Sequence, residues 1–261
     1  MELEFYDREL FLNENKAFSM MEYDKELKLL KQLIILVREY LEEKEHSSLL
    51  SYEGVCYLFA DSIIGYAEMA YDNMVLGHID AANMIIRAII ENMVCLNIIM
   101  EYEEKELWKY WLTQSMYKAL IPEKKYNTLK KQEILKEFYD NFNIEKEFLK
   151  KHPDERDKRA YIERNYGWAY KVNNNKFSFN ALCDLKKEYR YTDFGWASIY
   201  THGTSIYTKL LKSVFEEQVY NMISCLVYNL NMLASNYMKE MIGFDYVEIS
   251  EELKNIFEQS S

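Results

Sequence analysis

The sequence predicts an all-α protein, a helical bundle of long antiparallel helices with a charged helical projection. Three observations indicate this class: apolar residues recur at spacings of three and four, the 261 residues include only 2 Pro and 7 Gly, and 49% of the residues are apolar. So few turn-forming residues cannot supply the turns of an all-β sandwich or of a βαβ fold. The composition also excludes disordered, collagen-like and disulfide-stapled chains.

The first three helices are predicted between Tyr23 and Tyr102. Apolar residues from Tyr23 to Leu41 define the first one, and a serine at 48 or 51 is placed to cap a second that ends near residues 71–73. Gly77 forms the turn to a third helix, which begins near Asp80. The predicted inner side of the second helix comprises Val55, Leu58, Phe59, Ser62, Ile63 and Tyr66.

The rest of the chain is predicted to be helical with short joints. A joint at residues 101–106 precedes a helix that Pro122 ends, and a heavily charged helix at 126–151 projects from the core. Short helices follow at 154–165, 178–189 and 192–203, and a long last helix spans 211–241. We therefore predict one helical domain, 1–261, with a bundle core at 1–117 and 191–245, a basic helical insertion at 118–190 and an acidic tail at 246–261.

Charge is distributed unevenly along the chain. Residues 118–190 contain 18 of the 32 Lys and Arg but 12 of the 43 Asp and Glu, so this segment is basic within a chain of net charge -11. One interpretation is a solvated helical hairpin of mixed charge. The other is a surface that faces a polyanion, because Tyr166, Trp168 and other aromatic residues lie among the cations and could stack on bases.

The cysteines and the apolar segments bear on the location of the protein. Its cysteines, at positions 56, 95, 183 and 225, contain no C-x-x-C pair and are predicted to be reduced core thiols. The start of the sequence does not resemble a signal peptide, and no window approaches eighteen uncharged apolar residues. We expect a soluble cytoplasmic protein without a membrane contact.

A polar seam crosses the apolar third helix. Asp80, Asn83, Arg87 and Glu91 follow one another at spacings of three, four and four, which places them on one line along a helix. Three interpretations remain open: an i,i+4 ion pair on an exposed strip, a structural pair inside the bundle, or a functional pair. A charge in a protein core needs an ion-pair partner or has a functional role. Glu91 is therefore predicted to pair with Arg87 under each of the three interpretations.

A second polar cluster lies at residues 196–203. In a helix Ser198 and His202 share a face, and Gly203 ends the helix so that the imidazole lies at its C-terminus. There His202 is either a capping or core residue or a proton carrier that titrates near neutrality. The other three histidines have no second potential metal ligand at a sequence spacing that is typical of metal sites. Neither a metal nor a cofactor is predicted.

The order of these features resembles that of a known family. An αα-hairpin is followed by a small residue, Ala82, then by Arg87 and Glu91, by a distant run from Gly195 to His202 and by a long last helix. This order, over about residues 50–240, resembles an uncharacterised bacterial helical family. That family looks distantly similar to the HEPN superfamily of RNA-cleaving and nucleotide-binding helical domains of toxin and phage-defence systems.

The resemblance implies metal-independent cleavage of RNA. The resemblance marks Arg87, Glu91, Ser198 and His202 as the catalytic residues. Beside it, we predict Asn83, Tyr200 and Trp168 as substrate-binding residues. HEPN nucleases place Arg and His four to six residues apart on one helix, and no Arg of this chain precedes a His at that spacing. The last Arg before His202 is Arg190, twelve residues earlier. Either two helices assemble the pair from Arg87 and His202, or the nuclease chemistry is absent.

Two other functions are compatible with the sequence. A non-catalytic sensor or scaffold would bind a protein partner, and surface Tyr and Met residues would suit such an interface. A small-ligand pocket could instead be lined by Tyr200, Trp168 and Arg87. RNA, a protein partner and a second copy of the chain are therefore the expected partners.

Overall fold

The computed structural model describes residues 23–42, 48, 50–120, 164–173, 176–185 and 212–242. Regular structure in these ranges is helical throughout, which confirms the all-α class. The α-helices are α1 (Asp24–Glu42), α2 (Tyr52–Val75), α3 (Ile79–Glu101), α4 (Leu107–Leu120), α5 (Phe179–Leu185) and α6 (Lys212–Met232). Two 3-10 helices lie at Glu103–Lys105 and Gly167–Ala169, and a π-helix spans Leu233–Ile242.

Local sequence signals determine both ends of α2. The Ser51 hydroxyl accepts a hydrogen bond from the backbone N–H of Gly54 at 3.0 Å and thereby caps the helix. At the other end Gly77 has a φ of 76°, and two backbone bonds, from Gly77 to Met74 and from His78 to Asn73, form a Schellman motif. The left-handed conformation favours glycine at this position. The predicted serine cap and glycine turn are both confirmed.

The chain divides into two compact units. Unit 1 comprises residues 1–46, 57–93 and 190–261, and unit 2 comprises residues 47–56 and 94–189. The helices α2 and α3 therefore each contribute residues to both units. The predicted charged helix at 126–151, the short helix at 154–165 up to residue 163, the short helix at 192–203 and the acidic tail lie outside the described residues, and the predicted domain boundaries stay a prediction.

The core of unit 1 is built from the apolar faces of its helices. α1 buries Leu27, Leu30, Leu33, Ile34, Val37 and Leu41, and α6 packs against it. α2 buries Phe59, Ile63, Ala60, Ala67 and Ala70, whereas Ser62, predicted to face inward, is exposed. The buried face of α2 therefore includes its alanines, whose small side chains are compatible with close helix packing.

The two halves of α3 differ in burial. From Met93 to Ile99 every residue is buried, whereas the first half presents an exposed strip that includes Asp80 and Met84. An 18-residue window of α3 has a mean hydropathy of 1.5, so its length and composition would suffice to cross a membrane. Because 61% of that window is buried inside the protein, α3 equally fits the core helix of a soluble protein.

α4 and the second 3-10 helix form the described centre of unit 2. They pack against each other and bury Leu107, Tyr110 and Trp168, and α5 adds Phe179 and Leu182 to the buried residues. The Gln114 amide, 4% exposed, donates a hydrogen bond of 2.6 Å to the carbonyl of Arg164. Ser178 caps α5 by accepting from the N–H of Ala181.

The last long helix changes type along its length. The sequence predicts one helix over 211–241, and the structure forms an α-helix to Met232 that continues as a π-helix to Ile242. Buried residues recur here as adjacent pairs, Leu233 with Ala234 and Tyr237 with Met238. This spacing of four keeps one apolar face through the wider π turns, whose hydrogen bonds run from i to i+5.

A glycine in the middle of α2 gives a first stability prediction. A Cβ added at Gly65 would lie 3.6 Å from Nη2 of Arg38, an ordinary van der Waals contact. Because alanine loses less backbone entropy in a helix, we expect Gly65→Ala to raise the free energy of unfolding by about 0.5–1 kcal/mol. Urea unfolding measures this change, and a loss of stability would show that the guanidinium needs the free space.

Candidate functional site

The predicted seam Asp80, Asn83, Arg87 and Glu91, here called the α3 seam, lies in unit 1 along one edge of the exposed strip of α3. Asp80 is exposed, Arg87 and Glu91 are half-buried, and Asn83 is only 6% exposed. Helical geometry explains this gradient. Among the four residues Asn83 lies nearest the core-facing side of α3, and each step of four residues, slightly more than one turn, places Arg87 and then Glu91 further from that side. The structure therefore places the charges of the seam within reach of solvent and its amide in the interior.

The Asn83 amide is the unusual group of the α3 seam. Its Nδ2 is buried and has no hydrogen-bond acceptor among the described residues. A buried N–H without an acceptor costs about 1–3 kcal/mol, so native structures pair nearly all such groups. An amide donor one helical turn from a guanidinium provides two neighbouring donors, and this combination suits an anionic oxygen.

The other predicted site residues lie elsewhere. Ser198, Tyr200 and His202 are outside the described residues, so their place beside Arg87 stays a prediction. Trp168 belongs to unit 2, where it is 4% exposed and forms part of the core. Its role in binding a substrate likewise stays a prediction.

A charged network between α1 and α2 was missed by sequence analysis. Arg38 donates from Nε and Nη2 to the two carboxylate oxygens of Glu68, each at 3.0 Å, and from Nη1 to Asp61 at 2.5 Å. Glu42 lies 4.0 Å from Nε on the same helix. The Arg38 side chain is 20% exposed, whereas Asp61 and Glu68 are 46% and 42% exposed. We call this set of four residues the Arg38 network.

The charges of the Arg38 network hold the guanidinium ionised. The hydrogen bonding that Arg38 donates to Glu68 is the largest cause that raises the pKa of Arg38 above its ordinary value. Burial lowers this pKa, and the hydrogen bond to Asp61 raises it further. The spacing of seven between Asp61 and Glu68, two helical turns, was the only signal in the sequence that these carboxylates share a face. A planar fork that engages two carboxylates connects two helices, and we assign the network a structural role.

Cations in unit 2 lie over aromatic rings. The Arg164 guanidinium is 5.0 Å from the ring centroid of Phe177, and Nζ of Lys171 is 4.5 Å from that of Tyr110. Lys171 also donates to the carbonyl of Lys105, and Lys118 donates to the side-chain oxygen of Asn165 at 3.3 Å. This part of the basic segment therefore combines positive charge with aromatic faces.

The four cysteines are free thiols, as predicted. Cys56, Cys95 and Cys183 are buried, and Cys225 is half-buried and accepts from the Asn229 amide at 3.4 Å. Burial raises the pKa of Cys56 to about 12 and that of Cys183 to about 11. Among the described residues, no group of three or more His, Cys, Asp or Glu side chains is placed to hold a metal ion.

The raised pKa values predict selective thiol chemistry. At pH 8 we expect iodoacetamide to modify Cys225 first, while Cys56 and Cys183 react only when the chain unfolds. Because their pKa values lie above the ordinary 9.0, the folded chain keeps both thiols protonated where the unfolded chain ionises them, so stability falls as the pH rises from about 9 to 12. Peptide mass spectrometry measures the modification; equal rates for Cys56 and Cys225 in the folded protein would contradict it.

Comparison with known proteins gives one match. A family model described as a family of unknown function, DUF5677, matches residues 55–218, more than half of the chain. The matched range includes the α3 seam, the basic segment and the positions of Ser198 and His202. No curated protein and no solved structure matches the chain.

Proposed function

We propose that this chain, which belongs to the family of unknown function DUF5677, is an RNA-cleaving protein that works without a metal ion in a cytoplasmic defence or toxin system. The observation that supports this best is the Asn83 amide, a buried donor without an acceptor among the described residues, one turn from the half-buried Arg87. Arg87 would donate to a scissile phosphate directly, and the Asn83 amide would donate to it after a side-chain rotation that brings Nδ2 to the surface.

The proposed chemistry assigns a role to each residue of the site. Arg87 neutralises the charge that grows on the phosphorane, and Glu91 orients Arg87. His202 transfers a proton to or from the ribose 2′-hydroxyl or the leaving oxygen, with Ser198 holding the imidazole. Asn83 and Tyr200 bind the substrate. The proposal includes a distant kinship with the HEPN superfamily.

RNA cleavage in a chelator tests the proposal. We expect the purified chain to cut a mixed RNA substrate in excess EDTA, and we expect His202→Ala to abolish the cut without changing the thermal midpoint of unfolding. The Cys225→Ala variant, outside the proposed site, serves as the control and should cut like the parent. The catalytic assignment is wrong if cleavage needs a divalent ion, or if the folded His202→Ala chain cuts at the parental rate.

The alternative is a non-catalytic helical scaffold that binds a protein partner. The observation that favours it is a set of apolar side chains about half exposed on the α2–α3 hairpin: Met69, Leu76 and Met84. Methionine adapts to varied partners, and exposed methionines are common at binding surfaces. A second copy of the chain is the simplest such partner.

Sedimentation velocity tests this scaffold. If the hairpin binds a second copy, the parent sediments as a dimer and Met69→Lys with Met84→Lys sediments as a monomer. The matched variant Ile35→Lys introduces a lysine at an exposed apolar residue of α1 and should leave the dimer intact. A parent that stays monomeric at high concentration removes the homodimer from this alternative.

A further inference from the structure

We propose that unit 2 binds single-stranded RNA through a cation–aromatic surface formed by Lys118, Arg164, Asn165, Lys176 and Phe177. This inference rests on the proposed function for its substrate, since it names the form of RNA that the protein engages. The surface lies wholly within unit 2.

Arg164 is the central group of the surface. Its side chain is exposed, and its guanidinium lies 5.0 Å from the ring centroid of the half-buried Phe177. Within the described part of the chain Arg164 forms no ion pair with a carboxylate. A guanidinium that rests on a ring keeps its N–H edge free for a phosphate, which it can bind through two parallel hydrogen bonds.

Cations outnumber acids in the sequence around Arg164. Residues 163–184 contain three cations, Arg164, Lys171 and Lys176, and two acids, one at each end of this range. Lys176 is exposed beside Phe177, and Lys118 reaches the same segment through its hydrogen bond to Asn165. An anionic ligand therefore meets local attraction here, although the whole chain has a net charge of -11.

The backbone of the segment is held in a costly conformation. Tyr166 has a φ of 57°, a left-handed conformation that costs a residue with a Cβ on the order of 1 kcal/mol. Its ring packs at 5.9 Å from that of Phe179, and the buried Gln114 bonds the carbonyl of Arg164. These contacts restrain the backbone from which Arg164 projects, which lowers the backbone entropy that a ligand must remove on binding.

The combination of phosphate donors with aromatic and guanidinium faces selects the ligand. Bases of a single strand are free to stack on rings and guanidinium planes, whereas bases of a duplex are hidden in the helix. An acidic protein segment would use the charges but gain nothing from the ring. The presence of Phe177 under Arg164 therefore favours single-stranded RNA over an acidic peptide.

Binding to an RNA that cannot be cleaved tests this surface apart from catalysis. The probe is a fluorescent 16-nucleotide 2′-O-methyl oligouridine, with binding to the full chain measured by anisotropy. We expect Arg164→Glu to weaken binding at least tenfold and to reduce the slope of log affinity against log salt by about 1. The matched variant Lys28→Glu, at an exposed cation of α1 in unit 1, should bind like the parent.

A second variant separates stacking from charge. Phe177→Leu keeps the charges and removes the ring, so we expect it to weaken binding of the oligouridine at least about fivefold and binding of inorganic polyphosphate not at all. Unchanged RNA binding by Arg164→Glu overturns the proposal, as does tighter binding of duplex RNA or of polyglutamate. A chain that binds the oligouridine through Arg164 and cleaves no RNA refutes the proposed nuclease, while the binding surface stands.

Discussion

Replacing Arg38 with leucine is expected to lower the free energy of unfolding by about 2–3 kcal/mol. The substitution keeps the apolar stem but removes the guanidinium, which donates to both oxygens of Glu68 and to Asp61. Three carboxylates, those of Glu42, Asp61 and Glu68, then remain near one another without a cation. Removing one partner of a fully buried ion pair costs about 3–5 kcal/mol, and the exposure of Asp61 and Glu68 to water reduces the expected loss.

Urea unfolding of four variants measures the effect and its cause. Lys28→Leu removes an exposed lysine that pairs with Asp24 on the same helix, and it should cost no more than about 0.5 kcal/mol. Glu68→Gln should lower the free energy of unfolding of the parent and leave that of Arg38→Leu nearly unchanged. The difference between these two effects, the coupling energy, should be at least about 1 kcal/mol. If Arg38→Leu and Lys28→Leu lower the free energy of unfolding by the same small amount, the Arg38 network behaves like an exposed ion pair and contributes little to the packing of α1 against α2.

The helices α1 and α2 were predictable because their signals are local. The Ser51 cap, the Gly77 turn and the three-four spacing of α1 each depend on residues within one or two turns of one another. The Arg38 network was not predictable, because Asp61 and Glu68 follow Arg38 by 23 and 30 residues in the sequence. The chain also contains many other acidic residues that could have been its partners. Which of them faces an arginine depends on how α1 and α2 pack, and no periodic pattern specifies that contact.

The same limit explains the error at Ser62. The predicted inner face of α2 included the exposed Ser62 and missed Ala60, Ala67 and Ala70, which are fully buried. For the α3 seam, spacing correctly placed Asn83, Arg87 and Glu91 along one line. It could not show that Asn83 is buried while the two charged residues stay half-exposed, because burial depends on the neighbouring helices.

The α3 seam gives the second large expected effect. We expect Arg87→Ala to reduce RNA cleavage at least about a hundredfold, the loss typical of removing one preorganised donor to the charge of a transition state. The same change should cost no more than about 1 kcal/mol of stability, since the side chain is half-exposed. Single-turnover cleavage rates and urea unfolding measure the two quantities.

Asn83→Leu is expected to move stability and activity in opposite directions. Leucine has a similar volume and removes a buried donor that lacks an acceptor among the described residues, so the free energy of unfolding should rise by about 1 kcal/mol. Cleavage should fall at least about tenfold, because the phosphate loses one of its two donors. Asn92→Leu, the same substitution at a half-buried residue of α3 outside the seam, should leave the cleavage rate unchanged.

These opposite signs distinguish a functional seam from a structural one. A polar group that serves only the fold stabilises it, so its loss lowers stability and lowers activity only through unfolding. A group retained for a ligand leaves the free protein with an unmet hydrogen bond, and its replacement therefore stabilises the chain while weakening the ligand. If Asn83→Leu lowers the free energy of unfolding, the amide has an acceptor in the folded protein. The proposed phosphate site then loses the observation that best supports it.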